Sequence, residues 1–288
     1  MAIRTMLAPL GGAEDDDTFL DTVFALAKRH AAHVDVLQVA LDPRDAVAFV
    51  GEGMTAAMIE QIMAAAEKEG GSRASRATEQ FDRAVQKFGA LVREDPGPGF
   101  SVRLFRRTGR EDEQVAERGR LADLIIAGHP GKPPRSAPSF TLDACLRETG
   151  RPVLVLPLPA PAPEAFGKRI AIAWNGSTEA GRALRAAMPF LEQAESVTVL
   201  TVEEGSTVTP TGENVVRYLG WCGVRATTVA VPTDPAGAGK ALMAALVANN
   251  ADMLIMGAYT RGQMRRLIFG GVTAEVLATI TVPVIMVH

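Results

Sequence analysis

The chain predicts an α/β fold built twice, as two tandem domains that are each a five-stranded parallel sheet with helices on both faces. Three observations carry this reading. The first is an ordered internal repeat. Ala122-Asp-Leu-Ile-Ile-Ala-Gly128 matches Ala251-Asp-Met-Leu-Ile-Met-Gly257, and Arg151-Pro-Val-Leu-Val-Leu156 matches Val282-Pro-Val-Ile-Met-Val287. Met6-Leu-Ala followed by Gly11-Gly12 matches Ala171-Ile-Ala followed by Gly176-Ser177, in the same order along both halves. The second is that apolar runs of strand length alternate with segments of helical period. The third is the proline-dense stretch Pro157–Pro163, an extended and stiff linker that separates domains at 1–157 and 168–288.

Taken in order, Thr5–Pro9 is a strand and Thr18–His30 a helix with Phe19, Val23, Leu26 and Ala27 on one face. Val34–Val39 is the second strand. A helical region from about Met54 to Val92 follows, with a break expected at Gly70-Gly71. Phe100–Phe105 is the third strand, Glu111–Arg120 a helix, Leu121–Ala127 the fourth strand and Val153–Leu156 the fifth. The second half repeats the pattern with strand Arg169–Trp174, a helix carrying Ala180, Leu184, Ala187 and Leu191, and strand Val197–Val202. Helix Asn214–Trp221, strand Arg225–Val231, helix Ala238–Asn249, strand Ala251–Gly257, helix Thr273–Ala278 and strand Val284–Val287 complete it. The first half is the longer, and its excess lies around Met54–Arg93. That segment is a longer crossover helix, or alternatively a lid or partner surface.

Composition narrows the function classes. Hydrophobic residues make up 47% of the 288 residues and charged residues 22%, values ordinary for a water-soluble globular protein. A formal net charge of −3 provides no general attraction to nucleic acid or to an anionic membrane. The two cysteines, Cys145 and Cys222, lie far apart and suit core positions in a reducing compartment, so a cytoplasmic location is expected. No apolar run is long enough to span a membrane or, at the N-terminus, to serve as a signal peptide.

The most ligand-like stretch is the last third. An apolar strand ends at Gly257, an arginine-bearing loop follows, and Gly270-Gly271-Val272-Thr273 opens a helix. Glycines admit close backbone approach, and the N–H groups at a helix start favour an anion. Enzyme signatures are thin. Ala236-Gly-Ala-Gly-Lys240 is a helix start rather than a phosphate loop, since Asp234 and Ala241 occupy the positions of the first glycine and of the Ser or Thr. The close pair His30 and His33 sits at a helix end, where cation–dipole attraction explains at least one of them. No nucleophile with an evident base appears, and no two-cysteine metal motif.

The glycine-bracketed loop resembles the ATP-binding loop of universal stress proteins, whose pattern is glycine, two residues, glycine, nine residues, glycine, then serine or threonine. The opening Ala173-Trp-Asn-Gly-Ser177 and the Pro283-Val284 start of the last strand are similar to that family too, and the resemblance covers both halves. It implies two flavodoxin-like (adenine nucleotide alpha hydrolase-like) domains with strand order 3-2-1-4-5, paired about their fifth strands. It further implies that Ala173, Trp174, Asn175, Val202, Gly257, Thr260, Arg261, Gly270, Gly271, Val272 and Thr273 hold one ATP per chain, with or without Mg2+. The chain departs from the pattern at Thr260, Gly271 and Asn175, where the family has glycine, serine or threonine, and aspartate. Arg261, Arg265 and Arg266 are placed to pair with phosphates or to form a solvated face. Trp174 is either a base contact or a core or rim aromatic.

The first-half loop is degenerate. Lys132–Ser139 is rich in proline, Thr141-Leu142-Asp143 replaces the glycine pair, and Leu10 is set at the Asn175 position. Glu14–Asp17 suits a helix N-terminus and would repel a triphosphate. The expected function is therefore nucleotide-responsive stress signalling with at most slow ATP hydrolysis. The expected assembly is an intramolecular pseudo-dimer, with a homodimer of chains and an unidentified protein partner both open. Two alternatives stand beside it: an interaction module with both sites degenerate and no nucleotide, and a small-molecule enzyme of the same architecture.

Overall fold

The computed structural model describes residues 2–13, 16–40, 42, 55–129, 140–202, 209–235, 237–259 and 271–288. The chain forms two compact units. One spans Ile3–Ala127 and takes in residues 140–149; the other spans Gly150–His288 and takes in Gly128 and His129.

The first unit contains β1 (Thr5–Pro9), α1 (Asp16–His30), β2 (His33–Ala40), α2 (Ala56–Phe88), β3 (Leu91–Val92), β4 (Ser101–Thr108), α3 (Glu111–Gly119), β5 (Leu124–His129) and α4 (Phe140–Glu148). Its strands lie in the order β3-β4-β2-β1-β5, with every pair parallel. Met6, Leu7 and Ala8 of β1 are buried on both faces, as a central parallel strand requires. Helix α1 buries Phe19, Val23, Phe24 and Leu26, carries Asp16 and Asp17 in its first turn, and ends on Lys28, Arg29 and His30, a charge order that matches its dipole. The Phe24 ring meets Phe81, Phe88 and Phe100 edge-on at 5.9, 6.0 and 6.1 Å, which ties α1 to α2 and to the residue before β4.

The expected break at Gly70-Gly71 does not occur, and α2 runs unbroken for 33 residues. Both glycines face open space, so they cost only the usual helix penalty of about 1 kcal/mol each. Docking offsets it: Arg73, Arg76 and Gln80 bond to the β1–α1 loop, while Arg83 and Lys87 pair with Asp17 and Asp21. Helix α4 was not expected from the sequence. Its signal is Leu142, Cys145 and Leu146 at three- and four-residue spacing, all buried. Burial pushes the Cys145 thiol up to about 12.

The second unit contains β6 (Val153–Pro157), β7 (Arg169–Ala173), α5 (Thr178–Ala186), α6 (Met188–Leu191), β8 (Ser196–Val202), α7 (Gly212–Trp221), β9 (Ala226–Val231), α8 (Ala238–Ala248), β10 (Met253–Gly257), α9 (Gly271–Thr279) and β11 (Val284–Val287). The order is β6-β11-β10-β7-β8-β9. Strands β7 to β11 are parallel in the 3-2-1-4-5 order, and β6 joins antiparallel with Val155 opposite Val284 and Val153 opposite Met286. The single helix expected through Leu191 is two, because Pro189 at the start of α6 cannot continue the ladder of α5.

The aspartates of the repeated Ala-Asp pairs do the same work in both units. Asp123 accepts from the Arg4 and Thr5 N–H groups at 2.8 and 3.0 Å. Asp252 accepts from Gly167, Lys168 and Arg169 at 2.8 to 3.1 Å. Each carboxylate locks the first residues of its unit's central strand, β1 or β7. Among the described residues no helix is long and apolar enough to cross a membrane.

Candidate functional site

In the second unit the chain leaves β7 toward β8 and returns to β10 on the other side, with Met256 of β10 paired to Ala173 of β7. The crevice at such a switch point is where open α/β sheets take ligands. The residues at this edge are set by local chemistry. The Trp174 N–H donates to Leu200 O at 2.8 Å and extends the ladder, after which Gly176 turns the chain at φ +71°. The Trp174 indole is 7% exposed and its Nε1–H donates to Pro210 O at 2.6 Å, so it anchors the loop before α7 as a rim aromatic. Asn175 is exposed; its Oδ1 accepts the Ser177 N–H at 3.1 Å, and its Nδ2 makes no hydrogen bond among the described residues. Val202, partly buried, ends β8 opposite Val231.

Gly257 is required by packing. A Cβ there would lie 2.6 Å from Ala180 N and 2.8 Å from Glu179 Cβ, so glycine lets the start of α5 close onto β10. Beyond it, Ala258 N–H donates to Val287 O at 2.8 Å, and Tyr259 adopts φ 55° with its ring edge-on to His288 at 5.8 Å. The Thr273 hydroxyl is buried, and the Tyr259 N–H points at its Oγ1 from 3.5 Å; this brings the start of α9 to the end of β10. Gly271 is exposed at the first position of α9, followed by Val272. Thr260, Arg261 and Gly270, with Arg265 and Arg266, lie outside the described residues.

The helix starts around this edge differ in charge. Ser177 caps α5, and the buried Glu179 sits in its first turn. Burial acts to raise the Glu179 pKa, but hydrogen bonds from its own backbone, Thr178 and Ser177, together with the charge of Arg182, hold it below the usual value. Thr211 and Asn214 form a capping box on α7. Of the Ala236–Lys240 segment, Gly237 caps α8 and Ala238–Lys240 open it, a helix start as expected, which holds a carboxylate oxygen of Glu275 at 2.9 Å from Gly239 N–H. The first turn of α9 carries no acidic residue. Sequence reasoning missed Glu179 and Glu275; a glutamate within the first turn, as in Ser177-Thr-Glu179, was a readable signal for the first of them.

The corresponding edge of the first unit is built differently. Leu10 N–H donates to Leu37 O at 2.8 Å, as Trp174 does to Leu200, and Gly12 shares φ +71° with Gly176. Leu10 thus occupies the Trp174 position and Gly11 the Asn175 position, one residue away from the alignment expected by sequence. Gly11 offers no side chain, and Leu10 is 2% exposed in the core. Helix α2 lies over this loop, with Arg73 Nε on Gly11 O at 2.8 Å, Arg76 Nε on Gly12 O at 3.0 Å and Gln80 Nε2 on Ala13 O at 2.6 Å. A cavity of about 230 Å³ remains between Gly11, Gln38, Arg73 and Glu111, below the ordinary size of a ligand pocket. Burial raises the Glu111 pKa. Asp16 caps the Ala13 N–H at 2.7 Å and Asp17 pairs with Arg83, so these two charges are already used; Glu14 and Asp15 lie outside the described residues.

The paired histidines stand on either side of the turn that leaves α1. Burial, with the charge of Arg29, lowers the His30 pKa, and His33 opens β2, bonded to Ser101 and Asp35. Among the described residues, no three His, Cys, Asp or Glu side chains converge to hold a metal.

Residues 226–288 match the model of the universal stress protein family. The chain is similar in fold to a universal stress protein from Archaeoglobus fulgidus DSM 4304, with TM-score 0.71 and 16% identity over 98% of this chain and 97% of that one. It is also similar to a putative universal stress protein from Pseudomonas aeruginosa UCBPP-PA14, with TM-score 0.57 and 16% identity over 99% and 93%. No curated protein matches the chain.

Proposed function

We propose that this chain, whose residues 226–288 belong to the universal stress protein family and whose fold is that of universal stress proteins, binds one adenine nucleotide at the carboxyl edge of β7, β8 and β10. It acts in stress response by binding, and at most slow hydrolysis follows. The observation that carries this reading is the charge pattern of the helix starts. Helices α5 and α8 hold a carboxylate at their N-termini and α7 its own capping box, whereas α9 opens without an acid beside the end of β10. Asn175, exposed with an unengaged Nδ2, supplies a donor for a ribose hydroxyl at the adjacent strand end. The matching edge of the first unit is covered by α2, so one nucleotide per chain is expected.

Calorimetric titration with ATP, with and without Mg2+, tests this. One saturable site per chain is expected, weakened about threefold to tenfold by Asn175→Ala through loss of a hydrogen bond. Gly270→Val, in the loop that resembles the family's ATP-binding loop, is expected to abolish binding, while Gly128→Val leaves affinity unchanged. Two equivalent sites, or binding that survives Gly270→Val and not Gly128→Val, would place the live site in the other half. Absence of any heat with ATP, ADP and AMP would leave an interaction module.

A further inference from the structure

We propose that the open edge of β4, residues 103–108, is a strand-addition site for an extended acidic peptide. Strand β2 pairs with β4 along its whole length, from His33 opposite Ser101 to Ala40 opposite Thr108. On the other side β3 covers only Ser101 and Val102. The hydrogen bonds fix which backbone groups face outward. Ser101 N–H donates to Ala32 O and Gly109 N–H to Ala40 O, so odd-numbered residues face β2, and Arg93 N–H takes the Val102 carbonyl on the outer side. Leu104, Arg106 and Thr108 therefore point outward. Among the described residues their N–H groups meet no strand, and Arg107 holds only the Arg106 carbonyl, at 3.1 Å.

Natural sheet edges are blunted by short edge strands, proline, bulges or charged side chains. This edge carries a cluster of guanidinium groups. Three of them surround the Phe105 ring, with Arg107 Cζ at 3.8 Å, Arg118 Cζ at 4.2 Å and Arg103 Cζ at 4.8 Å from its centroid. Arg103 is balanced by Asp35 at 2.8 Å and by Glu94 at 3.6 Å. Arg107 and Arg118 have no carboxylate within ion-pair distance among the described residues, and Arg118 Nε is buried without an acceptor. Arg106, on the other face, donates to Thr78 Oγ1 at 3.1 Å and likewise meets no carboxylate there. Adjacent cations on one ring repel each other unless an anion joins them.

Strand addition supplies both missing components. Backbone groups of the incoming segment pair with Leu104, Arg106 and Thr108, and its alternate side chains rise on the α3 face. Glutamate or aspartate at those alternate positions gives Arg107 and Arg118 their bidentate acceptors. The unpaired outward backbone groups of Leu104, Arg106 and Thr108 favour an extended peptide over nucleic acid, which has no strand N–H and C=O groups to pair with them.

The probe is a fluorescein-labelled eight-residue peptide of alternating glutamate and valine, followed by fluorescence anisotropy at low and high salt. The full chain is expected to bind it saturably, with affinity falling as salt rises. Arg107→Glu with Arg118→Glu lowers affinity by about tenfold or more. Arg106→Pro, which removes one outward N–H and leaves the β2 ladder intact, lowers it as well, with circular dichroism confirming that both variants fold. Hydrogen exchange should show 103–108 protected by the peptide. Equal binding of an alternating lysine and valine peptide, unchanged binding by the charge-reversed chain, preferential binding of single-stranded poly-U, or no binding at low salt would each overturn the proposal.

Discussion

The Glu275 carboxylate accepts a hydrogen bond from the Gly239 backbone N–H at 2.9 Å, and it does so from a different helix. A Cβ on Gly237 or on Gly239 would run into this carboxylate, at 2.8 and 2.5 Å from its oxygens. The glycines of the Ala236–Lys240 segment thus make room for an internal anion at the start of α8, the place where a phosphate loop would hold an external one. Glu275→Ala should cost about 1 kcal/mol, as the loss of a helix cap does, and Glu275→Gln less, because the amide still accepts. Chemical denaturation of the two variants checks the order; equal losses would assign the effect to the charge alone, and no loss in either would show that the contact does not cap α8.

Gly257 and Gly128 occupy equivalent strand ends but stand in unequal surroundings. The first is pressed by the Glu179–Ala180 backbone, whereas the atoms nearest the second, among the described residues, are those of the flexible Leu158 side chain, from 3.0 Å. Gly257→Ala is therefore expected to destabilise by about 1–3 kcal/mol, as overpacking does, and Gly128→Ala by less than about 1 kcal/mol. Thermal midpoints of the two variants, measured side by side, decide this. A larger loss at Gly128 would contradict the packing described.

Three side chains of α2 satisfy the carbonyls of Gly11, Gly12 and Ala13. In the variant Arg73→Ala/Arg76→Ala two of these bonds are lost, at about 0.5–1.5 kcal/mol each. Amide exchange in residues 10–13 should accelerate roughly tenfold to a hundredfold by the same arithmetic. Exchange unchanged from the wild type would mean that α2 is not held through this loop.

Asp35 provides a pH signature. Burial acts to raise its pKa, but hydrogen bonds from His33 and Arg103 outweigh that and hold the carboxyl below its ordinary value. Because the folded value is the lower, the stability it contributes is present above the unfolded value of about 3.9 and is lost as pH falls through the folded one. Asp35→Asn should lower the thermal midpoint at neutral pH, and the gap to the wild type should narrow as the pH drops below about 4. A gap independent of pH would assign the loss to packing alone.

Much of this architecture could be read directly from the chain. Buried parallel strands have near-continuous apolar runs, so β1, β8, β10 and β11 fell within a residue or two of their expected bounds. The misreadings arose where tertiary contact outweighs local propensity. Gly70-Gly71 looks like a break until the anchors on either side of it are known, and α4 is too short for its periodicity to stand out. Leu10 was misplaced by one residue because only backbone hydrogen bonds fix the register of a glycine-rich turn. Of the site, Asn175 and Gly257 were visible as residue types. The carboxylates at the helix starts were not, since Glu275 reaches Gly239 across 36 positions of sequence.

The antiparallel pairing of β6 with β11 also has a consequence for synthesis. Val153 is made 133 residues before its partner Met286. At about 5–20 residues per second, β6 waits on the order of ten seconds before β11 exists. During that interval Val153–Leu156, apolar throughout, has no partner on the side that β11 will occupy. Two ribosomes on one message would bring such waiting strands close together, so the prolines that follow at Pro157, Pro159, Pro161 and Pro163 sit where they prevent the strand from lengthening into a template for its neighbour.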